Sequence, residues 1–322
     1  MFSSFQAFSA SLEDFSLAVE PLFGLRYGQL DEYVFLKESN YSDDKLSELN
    51  WDLKPELYYG LKVHGGWKDF FAETTLSFGI PMKTGLMKDS DWFNSQTYAV
   101  TTANAAGHDY KTCYSEHDNH LDYDINFNFK GGYQFLIRDF VNIKPAFAFD
   151  YENIKFTGIA GQGLYGNSIS NNYWAAYNDK SNNGLMKFSG RVITYRRELY
   201  LLWLGSDFSV KLPRNFTVST GFFFAPYVHA LSFDSHLTKD VDYADKTTGF
   251  FGAFKWNFGA EYQIDKRQSV LLNASYFYMR VIRGDNYSKV STKSSYDKSP
   301  LVDGGAGAKY LDVNLSYRFK IF

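Results

Sequence analysis

Two-residue alternation, held for eight or more positions at a time and repeated along the whole chain, constrains this sequence more than any other feature. From Phe15 the residues Phe15, Leu17, Val19, Pro21, Phe23 and Leu25 alternate with Ser16, Ala18, Glu20 and Gly24, and the run extends to about Phe35. A period of two sends successive side chains to opposite faces of an extended strand, so the run predicts a strand that is dry on one face and wet on the other. Nine further segments repeat the scheme, near residues 57–64, 72–80, 121–130, 141–157, 191–211, 221–236, 254–263, 269–281 and 308–322. The clearest sets Phe254, Trp256, Phe258, Ala260 and Tyr262 against Lys255, Asn257, Gly259, Glu261 and Gln263.

Ten such strands form an even number. The short turns near residues 65–69, 212–215 and 264–268 fall at one end, and longer polar connections (92–120, 158–183 and 284–304) fall at the other. That asymmetry predicts an all-β fold, one ten-stranded antiparallel transmembrane β-barrel over residues 1–322, apolar outside and polar inside. Several strands exceed the roughly 9–11 residues needed to cross a bilayer, so the barrel is expected to extend above the outer membrane. A soluble β-sandwich does not use alternating strands of about twenty residues.

Composition agrees. Aromatic residues make up 19% of the chain (31 Phe, 25 Tyr, 6 Trp), yet mean hydropathy is −0.34, the signature of a barrel with aromatic girdles and a wet lumen. No stretch of about eighteen apolar residues is present to make a spanning helix. A net charge of −3 leaves no basic footprint for nucleic acid. The single cysteine, Cys113, excludes an internal disulfide and a zinc cluster, and no metal is expected. The first twenty residues lack a basic n-region and an unbroken apolar core, so an exported form is expected to be the mature one behind its starting Met.

With the N-terminus in the periplasm, odd-numbered strands run outward. The far ends of the first, third and seventh then share the outer mouth, and bring together Glu32, the pair Asp89 and Asp91, and the pair Asp234 and His236; Ser115 and His117 lie where the fourth strand descends from that rim. A histidine whose tautomer is fixed by a carboxylate can act as general base toward water. Two facing aspartates do not both ionise easily, so one can keep a proton for a developing oxyanion. Solvated loop acids, or acids holding divalent cations between lipid headgroups, fit the same residues.

These stretches resemble the omptins, outer-membrane proteases of Gram-negative bacteria. The resemblance rests on Lys88-Asp89-Ser90-Asp91-Trp92, Asp234-Ser235-His236, Glu32-Tyr33-Val34, Ser115-Glu116-His117 and Gly305-Ala306-Gly307, and it covers nearly the whole chain. It implies a vase-shaped barrel at the cell surface and an aspartyl-type endopeptidase acting on peptides or proteins, with Asp89, Asp91, Asp234 and His236 catalytic and a water held between the two pairs. It implies substrate contacts at Glu32, Ser115, Ser232 and Cys113, and cleavage near basic residues. Two positions depart from the pattern. Ser232 replaces the acid two residues before Asp234, and Cys113 stands where another groove acid is usual, which weakens or alters the preference for basic residues.

No cofactor is implied. The family's lipopolysaccharide cluster is not cleanly reproduced near residues 150–155, although outer-membrane lipid remains a partner. The terminal Phe322 is similar to the signal read by the barrel assembly machinery. A non-catalytic adhesin or surface-binding barrel is the alternative of a different class, and a passive pore a third.

One feature conflicts with a lumenal site. By parity, Asp234 and His236 fall with Val218, Phe222 and Phe224, which face lipid. A bulge near Ala225-Pro226 is therefore expected, because proline cannot donate to a ladder and an extra residue reverses the phase.

Overall fold

The computed structural model describes residues 14–37, 44–93, 110–137, 140–170, 173–290 and 292–322. More than half of the expected connection at 92–120 lies outside the described residues. The strands are β1 (Phe15–Leu36), β2 (Lys45–Trp67), β3 (Phe70–Gly79), β4 (Met82–Asp91), β5 (Cys113–Tyr133), β6 (Phe135–Ile137), β7 (Val141–Tyr165), β8 (Ser168–Ser170), β9 (Tyr173–Trp174), β10 (Met186–Leu212), β11 (Phe216–His236), β12 (Val241–Gly249), β13 (Ala253–Gln263), β14 (Gln268–Val290) and β15 (Asp297–Lys320).

Ten staves result once β3 with β4 and β12 with β13 are each taken as one interrupted strand. Antiparallel pairing runs from β1 through β2, β3/β4, β5, β7, β10, β11, β12/β13 and β14 to β15, and β15 pairs back onto β1 from Ala18↔Lys320 to Leu36↔Val302. The ring therefore has no free edge, which is what hydrocarbon requires of a β structure. Among the described residues no helix is long and apolar enough to cross a membrane.

The lower staves follow the predicted alternation. Phe23, Tyr59, Leu204, Phe222, Trp256 and Leu315 stand exposed on the outer wall. Inside, charges are cross-linked around a polar cavity of about 410 Å³. Glu20 meets His64 at 2.8 Å and Arg318 at 2.8 Å, and Lys130 bridges Glu73 at 3.0 Å and Asp207 at 2.8 Å. Above the cavity Arg26 is shared among Glu56, Asp124 and Glu152 at 3.1–3.3 Å, and Arg197 holds the other oxygen of Glu152 at 2.9 Å. Over this ionic layer lies an apolar one, where Trp51 stacks on Tyr195 and Phe156 at centroid distances of 5.1 and 5.8 Å.

Several staves exceed their expected lengths at the upper end. β2 begins at Lys45, and β7 continues to Tyr165 with the small β8/β9 hairpin beyond it. The expected loop at 284–304 is mostly strand, since β14 reaches Val290 and β15 starts at Asp297. Outside the membrane neither face meets lipid, so these strands do not need apolar residues on alternate positions and the signal fades.

Several staves also reverse phase; β5 does so at Asp122, with Leu121 buried above and Asp124 below. β11 carries Ala225 and Pro226 opposite the single residue Trp203, because Leu202 pairs with Tyr227 and Leu204 with Phe224. Below that bulge Gly221, Phe223 and Ala225 are buried; above it Val228, Ala230, Ser232 and Asp234 are. β2 does the same at Lys54-Pro55, with Leu49, Trp51 and Leu53 buried above and Glu56 and Tyr58 below. β14 does so at Arg280-Val281, opposite Gly307.

Candidate active site

The bulge at Ala225-Pro226 decides where Asp234 and His236 point. With it, Asp234 is 4% exposed and faces the lumen; unbroken parity from Val218 would aim it outward. Asp234 Oδ2 lies 3.0 Å from His236 Nε2, while the ring meets the edge of Tyr243 at 5.3 Å.

The opposite wall is a continuous row. Glu32 on β1 pairs with Leu49 on β2, Leu49 with Asp89 on β4, and Asp89 with Ser115 on β5; Asp91 pairs with Cys113 one step higher. All the residues singled out by sequence therefore meet at one mouth, with Asp89, Asp91, Glu32, Ser115 and Cys113 on one side and Ser232, Asp234 and His236 on the other.

The two walls act on each other across the lumen. Burial and then the Asp91 charge push the Asp89 carboxyl up to about 7, while the positive charges of His236 and Lys239 pull the other way. Burial raises Asp91 as well, against a hydrogen bond from Ser47. His236 loses some basicity to burial, but the Asp234 charge and hydrogen bond, with Asp89 behind them, hold its pKa above the ordinary imidazole value. Among the described residues, Oδ1 of Asp89 and Oδ1 of Asp234 are both buried without a hydrogen-bond partner. An imidazole braced by one carboxylate, opposite a carboxyl pair that can share a proton, is an arrangement able to activate water and receive a negative oxygen.

Ser115 is bound to its neighbour. Its Oγ lies 3.0 Å from His117 Nε2, and His117 Nδ1 meets the Ala160 carbonyl. Donation from Nδ1–H to that carbonyl leaves Nε2 to accept the serine proton. Cys113 is buried, and its thiol is pushed up to about 12 by burial and by the charges of Asp91 and Asp89.

The model of the Omptin family matches residues 13–320. The chain belongs to that family. The plasminogen activator of Yersinia pestis is 24% identical over 314 residues, covering 94% of this chain and 90% of that one. The outer membrane protease OmpT of Escherichia coli superposes with a TM-score of 0.77 at 14% identity, over 95% of this chain and 97% of that one. This omptin is thus a protease of the bacterial outer membrane, an omptin-type β-barrel whose site opens to the cell exterior.

Several residues of the omptin's mouth were not found from sequence. Asp245 on β12 is 3% exposed, its carboxyl is pushed up to about 7 by burial and by Asp234, and Asn286 donates to it at 2.8 Å. Counting back by twos from the inward Lys255 reaches it, so the parity was present in the sequence. Tyr195, which reaches Ser232 Oγ at 3.1 Å, and Lys239, whose charge acts on Asp89, Asp91 and His236, left no periodic signal.

Proposed function

We propose that this omptin is an endopeptidase in which His236, braced by Asp234, takes a proton from a water molecule held between the two walls. The hydroxide formed attacks the peptide carbonyl. The Asp89/Asp91 pair, sharing one proton, donates to the oxyanion. The imidazolium then returns its proton to the leaving amine as the C–N bond breaks, and no covalent enzyme intermediate is needed. The observation that carries this reading is the 3.0 Å contact between Asp234 and His236 with Asp89 acting on the same imidazole from the opposite wall.

Ser115, Cys113, Ser232 and Glu32 line the groove as substrate contacts. Outer-membrane lipid is a partner in this proposal through outward basic side chains: Lys155 stands opposite Arg196, and Lys246 lies in the neighbouring row with Leu231 and Glu198, where anionic headgroups would meet them. Phe322 serves as the assembly signal.

The test is refolded barrel in detergent with a quenched fluorescent peptide containing basic residues. His236→Ala lowers kcat by roughly 10²- to 10⁴-fold, the usual worth of a general base. Equal turnover by wild type and variant would overturn the mechanism.

A further inference from the structure

Among the described residues the acids of the mouth outnumber the cations facing them, and the excess is concentrated around Glu32. Glu32 is 4% exposed, and the charges acting on it are three more carboxylates, those of Asp234, Asp245 and Asp89. Among the described residues its Oε2 is buried without a hydrogen-bond partner, as is Oδ1 of Asp234. Buried acceptors are normally met by a donor, and buried carboxylates without a counter-charge are strongly unfavourable. The well is built for a cation that arrives from outside.

Asp245 enters this well from the neighbouring strand. It stands directly opposite Ser232 in the β11–β12 ladder, and both side chains are inward and buried. Facing residues have Cβ atoms about 4.5–5.5 Å apart, so the Asp245 carboxylate projects beside the place where an acid at 232 would project. Room for it is kept by Gly304 on β15, where a Cβ would fall 2.1 Å from Asp245 Cγ.

We propose that Asp245 is a specificity-determining residue of this protease: with Glu32 it binds one ammonium or guanidinium side chain beside the scissile bond, replacing from β12 the acid that β11 lacks at Ser232. The proposal rests on the protease reading above. It runs counter to the expectation that Ser232 weakens the preference for a basic residue. The other side of the site is different. Cys113 is an uncharged thiol there, and the positive charge of Lys239 acts on both Asp89 and Asp91. A single basic residue is selected, on one side of the cleaved bond only.

The test uses paired peptides that differ only in arginine or its neutral isostere citrulline, at each position flanking the bond. In wild type, kcat/KM favours arginine on one side. Asp245→Asn lowers that preference by about 10- to 100-fold, the worth of a hydrogen bond to a charged group, and Ser232→Asp added to Asp245→Asn restores it. Calorimetric binding of the arginine peptide with a reduced scissile bond gives a readout independent of turnover, and it weakens by the same factor. Hydrolysis with an unchanged arginine preference in Asp245→Asn overturns the well and leaves the protease reading standing. A double variant no better than Asp245→Asn also overturns it, because the charge would then not be what matters. Cationic peptide that binds and is lost in Asp245→Asn, without hydrolysis by wild type, overturns the protease reading and keeps the well.

Discussion

Replacing Arg26 with methionine removes one cation from a layer that contains three fully or nearly buried acids. Its guanidinium lies 3.3 Å from Glu56, 3.2 Å from Asp124 and 3.1 Å from Glu152, with Asp312 at 3.7 Å. Their side chains are 0%, 0%, 5% and 15% exposed, so solvent screens them little. Unit charges about 4 Å apart attract by ~4 kcal/mol at an effective dielectric near 20. Desolvation opposes most of that gain, and the net loss on removing one buried partner is about 3–5 kcal/mol. Arg26 serves several acids at once, while Arg197 contacts only Glu152 among them, so the upper end of that range is expected. Methionine retains the apolar stem beside Tyr310, over whose ring the guanidinium sits at 4.6 Å. The measurement is reversible urea unfolding of the barrel in lipid vesicles, followed by tryptophan fluorescence. Adding Glu56→Gln to Arg26→Met should recover at least ~1 kcal/mol, because it removes a charge the first change left uncompensated. A loss below ~1 kcal/mol for Arg26→Met, or no recovery in the double variant, would refute the claim that this layer is held by charge.

Three further outcomes follow from the mouth. The ratio of kcat/KM for arginine over citrulline peptides should rise with pH through neutrality, since the Asp245 carboxyl, pushed up to about 7, must lose its proton to hold a cation; taking the ratio cancels the titration of His236, and a flat ratio from pH 5.5 to 8.5 contradicts the assignment. Gly304→Ala should lower the same ratio as Asp245→Asn does, because its Cβ displaces the Asp245 carboxylate; an unaltered ratio in a folded variant counts against the packing argument. Cys113, with its thiol near 12, should react with iodoacetamide at pH 8 about a thousandfold more slowly in the folded barrel than in urea, and comparable rates would show that the thiol is neither buried nor held protonated.

The membrane half of the fold was legible because lipid on one face and water on the other enforce a strict period of two. Above the membrane that pressure ends. The upper parts of β5, β7, β14 and β15 are inward-specific but outwardly indifferent, so residues 113–120, 158–165, 284–290 and 297–304 resembled loops. The orientation of Asp234 and His236 was recoverable only by letting Pro226 mark a bulge, a local signal for a non-local result. Asp245 was missed for a different reason. Its inward phase is readable along its own strand, but its partnership with Ser232 depends on the β11–β12 register, and the irregular Phe250–Gly252 join interrupts the stave that would have revealed it.

Lys54-Pro55, Ala225-Pro226 and Arg280-Val281 form a seam at which β2, β11 and β14 each join two runs of opposite parity, while β1, β10 and β15 beside them keep one parity throughout. Loss of Pro226 would merely merge the two runs of β11, since Ala225 already stands inward opposite Trp203. A single-residue loss well above or below the seam turns a whole run of side chains inside out. The rim can therefore exchange its chemistry while the lipid-facing wall beneath keeps its own alignment.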